Sequence, residues 1–145
     1  MKSNEIIEIL EENNLTEIEE LKNEDGVFLV KFFLDFDNDV ISAARSYAND
    51  ESDYEEESDE WYKEYFIPYL YDYGNDEVVD IIEEIVEELD IAGEVMAFQI
   101  NSSNFEFIQF MALFTEEDAD ITIEDVAKEL ITVVTYYLGG VGEIL

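Results

Sequence analysis

The sequence predicts an α+β fold, in which several amphipathic helices pack on a small, mostly antiparallel sheet. Apolar residues recur at helical spacing through residues 76–90, and acids fill most of the remaining positions. Residues 27–36 follow a turn signal at 23–26 and are apolar on both faces, as in a well-covered strand. Phe and Leu outnumber β-branched residues in that run, so a buried helix, and with it an all-α fold, is the alternative.

The N-terminal third is predicted to contain two helices that flank a hairpin. Residues 4–13 have apolar side chains at helical spacing and acids opposite them. Residues 17–22 and 27–36 then form the two strands of the hairpin on either side of the turn. The Asp and Asn side chains of residues 37–39 suit a helix N-cap and predict a helix over 40–48.

The middle of the chain is predicted to be an acidic loop followed by two helices. Residues 50–60 contain eight carboxylates and no base, which favours a solvated loop. A helix that begins near Asp59 should break or kink near Pro68, because proline cannot sit undisturbed in a helix interior. Residues 74–76, Gly-Asn-Asp, are expected to close that helix and to cap the next one, 76–90.

The C-terminal part is predicted to contain two strands and a helix. Residues 93–100 and 105–115 look like strands joined by a short polar turn, with a helix over 104–114 as the alternative. A final helix is predicted over about 123–138, ended by a pair of glycines. No repeat or linker divides the chain, so residues 1–145 are expected to form one domain with a sizeable core.

The charge of the chain is its most unusual property. It has 40 acidic and 6 basic residues, and its formal net charge is −34. A folded chain of this length is about 40 Å across, and a DNA duplex of that length carries about two dozen phosphates. The protein should therefore be repelled by nucleic acid, and its partner should be a basic protein. With 48% hydrophobic residues, the chain does not belong to the disordered acidic class.

Composition also excludes several kinds of site. The chain has no cysteine and no histidine, which excludes disulfides, thiolate chemistry, the usual zinc sites and Ser-His-Asp triads. Residues 35–39 have the D-x-D-x-D opening of an EF-hand loop, but Val40 and Ser46 occupy the positions that need glycine and glutamate. We therefore expect no enzymatic activity, no cofactor and no dedicated metal site.

The sequence contains no apolar segment of the kind that targets or anchors a protein in a membrane. The N-terminal residues lack the apolar core of a signal peptide. No uncharged run reaches the roughly 20 residues that span a bilayer, and an anionic lipid surface would repel the chain. The protein is expected to be cytoplasmic and not to bind membranes.

Residues 50–73 are the predicted centre of function, because a dense acidic run precedes seven aromatic residues. Carboxylates accept hydrogen bonds from arginine, and aromatic faces stack on its guanidinium group, so such a surface suits a basic groove. A charged loop leading into a core helix is the alternative. The predicted partner-binding surface also includes acids near the end of the 76–90 helix. The predicted partner-binding residues are Asp50, Glu51, Asp53, Tyr54, Glu55, Glu56, Glu57, Asp59, Glu60, Trp61, Tyr62, Tyr65, Glu83, Glu84, Glu87 and Glu88.

In size, acidity and lack of His and Cys, the chain resembles the DNA-mimic proteins of phages and mobile elements. These include anti-restriction and anti-CRISPR proteins and inhibitors of DNA glycosylases. The resemblance implies a stoichiometric protein–protein inhibitor without catalysis, and it assigns no role to any single residue. An immunity protein or antitoxin that neutralises a basic nuclease is the first alternative. An acidic chaperone or scaffold for basic clients, or a housekeeping domain, is the second.

Overall fold

The computed structural model describes residues 2–24, 26–116 and 123, and these residues form an α+β fold. Their sheet contains β1 (Thr16–Glu24), β2 (Val27–Asp35), β3 (Ala92–Ala97) and β4 (Phe107–Thr115). The strand order is β1-β2-β4-β3, and each neighbouring pair is antiparallel. The predicted hairpin and the later pair of strands are thus confirmed, and the all-α alternative and the helix over 104–114 are excluded.

The central position of β2 explains why residues 27–36 are apolar on both faces. β2 pairs with β1 on one side and with β4 along its whole length on the other. Phe28 and Phe32 point into the larger apolar cluster, which the helices cover. Leu29 points the other way, into a second cluster with Met111 and Leu113 of β4. A strand buried on both faces needs apolar residues at successive positions rather than at alternate ones.

Two helices lie N-terminal to most of the acidic segment, residues 50–60. They are α1 (Ser3–Glu12) and α2 (Asn38–Glu51), which confirm the predicted helices at 4–13 and 40–48. The Asp37 side chain caps α2 by accepting a hydrogen bond from the Val40 N–H at 2.9 Å. α2 continues three residues beyond the predicted end, so Asp50 and Glu51 belong to its last turn.

One long helical stretch replaces the two helices predicted after the acidic segment. It consists of α3 (Asp59–Trp61), a π-helical turn (Tyr62–Phe66) and α4 (Ile67–Leu89). Pro68 does not break it. The proline stands in the first turn of α4, and the wider π turn lies at the preceding carbonyl groups that its ring would otherwise obstruct.

The predicted boundary at residues 74–76 is wrong, because α4 runs through it without interruption. Gly74 is buried against the sheet. A Cβ atom at this position would lie 2.8 Å from Ile108 Cδ1 and 3.6 Å from Leu34 Cδ2. Glycine therefore allows the close approach of helix and sheet here, and it does not mark a turn.

The core lies mainly between the helices and one face of the sheet. Phe110 and Phe114 of β4 are fully buried there, together with Leu70 and Ile85 of α4. The opposite face carries a smaller apolar cluster that includes Met96 and Ile123. The predicted helix over 123–138 lies outside the described residues, apart from residue 123. The expectation of one domain over 1–145 stays a prediction.

Within residues 2–24, 26–116 and 123, no helix combines the length and the apolar character needed to cross a bilayer.

Tyr71 joins α4 to the segment that follows β3, and its removal should weaken the fold. Its hydroxyl accepts a hydrogen bond from the Ile100 N–H and donates one to the Phe98 carbonyl. Tyr71→Phe leaves both part-buried backbone groups without this partner. We expect a loss of about 1–2 kcal/mol in the free energy of unfolding, measured by urea denaturation.

The same variant should alter the response to alkaline pH. Burial raises the pKa of Tyr71 above its ordinary value, although the bond from Ile100 opposes the shift. A raised pKa contributes stability that is fully present below the unfolded pKa of about 10. This stability is lost as the pH rises through the folded pKa. Tyr71→Phe should therefore lose less stability than the wild type above about pH 10. An identical alkaline loss in both proteins would contradict this.

Candidate functional site

The acidic segment connects α2 to the long helix, and its carboxylates are all exposed. Asp50 and Glu51 end α2, and Asp59 and Glu60 begin α3. Carboxylates suit a helix N-terminus but are unfavourable at a C-terminus, where the helix dipole is negative. The last turn of α2 contains no base to compensate them. The predicted residues between these ends are Asp53, Tyr54, Glu55, Glu56 and Glu57, and all of them are exposed.

Arg45 ties the acidic segment to the body of the protein. Its guanidinium group pairs with Glu56 at 3.1 Å and with Glu57 at 3.4 Å. It also lies over the rings of Trp61 and Phe66, 5.7 and 5.4 Å from their centroids. Two of the predicted partner-binding carboxylates therefore hold the segment in place as well as facing solvent.

Trp61 belongs to the core. It is 0% exposed, its ring stacks on Phe66 with centroids 5.0 Å apart, and its indole N–H donates to the Asn49 side chain at 3.0 Å. This burial argues against the predicted role of Trp61 as a partner-facing anchor. Tyr62 is half-buried and packs edge-on against Trp61 and Phe66, so it belongs to the same group of packed aromatic rings.

Tyr54 and Tyr65 remain accessible beside the acids. Tyr54 is 44% exposed, and its ring meets that of half-buried Tyr65 edge-on at 6.3 Å. A side-chain hydrogen bond with Glu64, together with the charge of that carboxylate, raises the pKa of Tyr54. The predicted combination of acids and aromatic faces is thus present, but it is carried by tyrosines and not by the tryptophan.

The other predicted residues lie at the far end of the long helix. Glu83, Glu84, Glu87 and Glu88 are exposed and line a shallow acidic groove with Asp80. At about 1.5 Å per residue, they lie roughly 35–40 Å from Glu60 along the helix axis. The structure therefore places the two acidic groups at opposite ends of one helix and does not bring them together.

A row of carboxylates runs along α4 to the acidic group at its C-terminal end. Five exposed acids recur at every fourth position of α4, so each lies one turn beyond the last and the row turns gradually, by about 40° a step, around the exposed surface of the helix. They are Asp72, Asp76, Asp80, Glu84 and Glu88. Four of them lie within the helix predicted over 76–90, where their spacing of four already indicated a ladder of negative charge. The prediction separated Asp72 from this ladder because residues 74–76 were interpreted as a break.

The density of charge along α4 is close to that of a nucleic-acid strand. Seven carboxylates lie between Asp76 and Glu88, over about 18 Å of helix. This corresponds to one charge per about 2.6 Å of helix axis, compared with one per about 3.4 Å along one DNA strand. The exposed side of α4 is therefore a linear array of negative charge.

Among the described residues, no ion pair neutralises this array. In the part of the chain that the structure describes, ion pairs join Lys22 to Glu24 and Lys31 to Glu19 in the hairpin, and Arg45 to the acidic segment. None of these pairs involves α4. Like charges one helical turn apart destabilise a helix, and the last turn of α4 contains no base. The array therefore destabilises the folded state.

This repulsion predicts that salt stabilises the protein. Raising NaCl from about 0.1 to 1 M shortens the screening length from about 10 to 3 Å, which is less than the distance between successive turns. The melting temperature, measured by circular dichroism at pH 7, should rise over this range. Sucrose at matched osmolality controls for solvent exclusion. A melting temperature that does not respond to salt would show that the carboxylates are effectively independent.

Within residues 2–24, 26–116 and 123, no cluster of three or more acidic side chains is arranged to hold a metal ion. The exposed surface is instead characterised by a continuous acidic array and accessible tyrosines. Comparisons with protein-family models, curated proteins and solved structures found no match to this chain.

Proposed function

We propose that this protein is an acidic inhibitor that occupies the basic nucleic-acid-binding surface of a nucleic-acid-handling protein. The observation that carries the proposal is the array of seven exposed carboxylates between Asp76 and Glu88 of α4, whose charge density is close to that of a nucleic-acid strand. Such an array opposes folding, so a partner that relieves the repulsion explains why a chain would contain it. The inhibitor binds stoichiometrically, performs no catalysis and acts in the cytoplasm.

Electrostatics supports a protein partner rather than a nucleic acid. With a net charge of −34, the protein is repelled by phosphate backbones and attracted to surfaces built to hold them. Complementary charge steers the first encounter and raises the association rate more than it raises the final affinity. Carboxylates on a rigid helix keep their spacing, so a groove shaped for phosphates meets charge in a fixed arrangement.

An immunity protein for one basic nuclease is the second candidate. The observation in its favour is the pair of exposed tyrosines near the acidic segment, Tyr47 and Tyr54. Exposed aromatic anchors give specificity for one partner, whereas charge alone attracts many. This candidate predicts one cognate nuclease, whose catalytic activity is blocked even when nucleic acid still binds.

Affinity capture tests the proposal. The tagged protein, immobilised at low salt, is exposed to a lysate of its native host that has been treated with nuclease. We expect one predominant partner that binds nucleic acid and elutes as the salt concentration rises. A bait in which the α4 carboxylates are replaced by amides is the control and should retain much less of it. Recovery only of proteins without affinity for nucleic acid would contradict the proposal.

A further inference from the structure

A second surface lies between α2 and α4 and combines aromatic walls with carboxylates. Its lining residues are Tyr47, Pro68, Tyr69, Asp72, Tyr73 and Asp76, and its volume is about 330 Å³. This size is at the lower end of the range for ligand pockets, so it suits a single side chain rather than a large cofactor. Asp72 and Asp76 belong to the α4 row, which makes the groove continuous with the acidic array.

Packing holds the aromatic walls in place. The Tyr47 ring lies 5.3 Å from that of Tyr69 and 6.2 Å from that of Tyr65, while 41% of its surface stays exposed. The Tyr73 ring packs against Phe36 at 6.1 Å. Burial and the charges of Glu77 and Asp37 raise the pKa of Tyr73, so its phenol is neutral at physiological pH. The groove therefore presents neutral rings beside two carboxylates one helical turn apart.

We propose that this groove receives an arginine side chain of the partner, an inference that rests on the proposed function because it assumes a basic protein partner. A guanidinium group is planar, stacks on aromatic faces and donates several hydrogen bonds to carboxylates in its own plane. A lysine ammonium is a compact, strongly hydrated charge and gains less from aromatic walls. The combination of rings and acids selects arginine over lysine.

The chain itself contains an example of this recognition. Arg45 lies over the rings of Trp61 and Phe66 and pairs with Glu56 and Glu57. The groove offers the same kinds of group, aromatic rings and carboxylates, on the other side of the α2–α4 contact. In the part of the chain that the structure describes, no basic side chain forms an ion pair with Asp72 or Asp76.

The first test compares synthetic peptides of nine arginines and nine lysines, titrated against the protein by isothermal calorimetry at fixed salt. We expect the arginine peptide to bind about three- to fivefold more tightly than the lysine peptide because of stacking. Tyr47→Leu should abolish this preference, and Tyr47→Phe, which keeps the ring, should retain it. Val79→Ala is the control for loss of exposed apolar surface, because Val79 is 40% exposed, has no ring and lies outside the groove. An equal loss of preference in Val79→Ala, or no preference in the wild type, would overturn the proposal.

The second test removes two charges from each of two places on α4. One double variant, Asp72→Asn with Asp76→Asn, alters the groove. The other, Glu83→Gln with Glu87→Gln, removes the same amount of charge outside it. We expect the groove variant to lose several-fold more affinity for the arginine peptide, with circular dichroism confirming that both variants fold. Equal losses would show that only net charge matters and would overturn this proposal. The proposed function would survive that outcome, since it requires the array and not the groove.

Discussion

Replacing Trp61 by alanine should lower the free energy of unfolding by about 3–5 kcal/mol, a large fraction of the roughly 5–15 kcal/mol that stabilises a typical domain. The ring is fully buried and stacks on Phe66, so its removal leaves a large cavity. The change also frees the Asn49 side chain that accepts its indole hydrogen and removes one of the two rings beneath Arg45. Stability and the anchoring of the acidic segment should be lost together.

Two companion variants separate the parts of this effect. Trp61→Phe keeps an apolar ring and should cost less than the alanine variant, whereas Arg45→Leu spares the core and releases Glu56 and Glu57. Urea denaturation measures stability, and limited proteolysis reports whether the acidic segment opens. A folded Trp61→Ala protein with wild-type stability would place this ring outside the core and contradict the packing described above.

Neutralising the end of the α4 array should make the protein more stable and less able to bind. The variant replaces Asp80 with Asn and replaces Glu83, Glu84, Glu87 and Glu88 with Gln. These acids form about five repulsive pairs three or four positions apart, so their loss should stabilise the helix by about 1–2 kcal/mol. Exposed charge pairs contribute about 0.2–1 kcal/mol each to binding. We therefore expect affinity for the basic partner to fall roughly tenfold to a hundredfold.

A charge-matched variant shows whether position matters. It replaces five exposed acids of the N-terminal helix and hairpin by glutamine, namely Glu5, Glu8, Glu11, Glu12 and Glu20. The acidic segment is a poorer choice for this purpose, because Glu56 and Glu57 also hold Arg45. Surface plasmon resonance with the captured partner should show a slower association rate mainly for the α4 variant. Equal effects from both variants would mean that total charge, not the array, governs binding.

The sequence predicted the fold class because its strongest signals are local. The turn signal before Val27 specified the hairpin, and the apolar stripe of residues 76–90 specified the second half of α4. Gly74 was misinterpreted because a glycine needed for close packing looks the same in sequence as one needed for a turn. Only the position of Ile108 and Leu34 against the helix distinguishes the two cases.

The exposure of the acids in the candidate site could be predicted from the sequence, whereas the burial or exposure of its aromatic residues could not. Charged side chains stay at the surface unless they are paired, so the exposure of residues 50–60 follows from their composition. An aromatic ring suits either a core or an interface. Trp61 is buried because α2 covers it: Arg45 lies over its ring and Asn49 accepts its indole hydrogen, and nothing within its own segment specifies those contacts.

Competition for the captured partner tests the central claim, that carboxylates of this protein take the place of phosphates. Fluorescence anisotropy of a labelled nucleic acid bound to the partner is followed at about 0.15 M salt while the unlabelled protein is added. We predict that the anisotropy falls to the value of the free nucleic acid as the protein reaches stoichiometric amounts, and that the α4 variant requires at least about ten times more protein. A rise in anisotropy, which signals a complex containing the partner, the nucleic acid and this protein together, would contradict the claim.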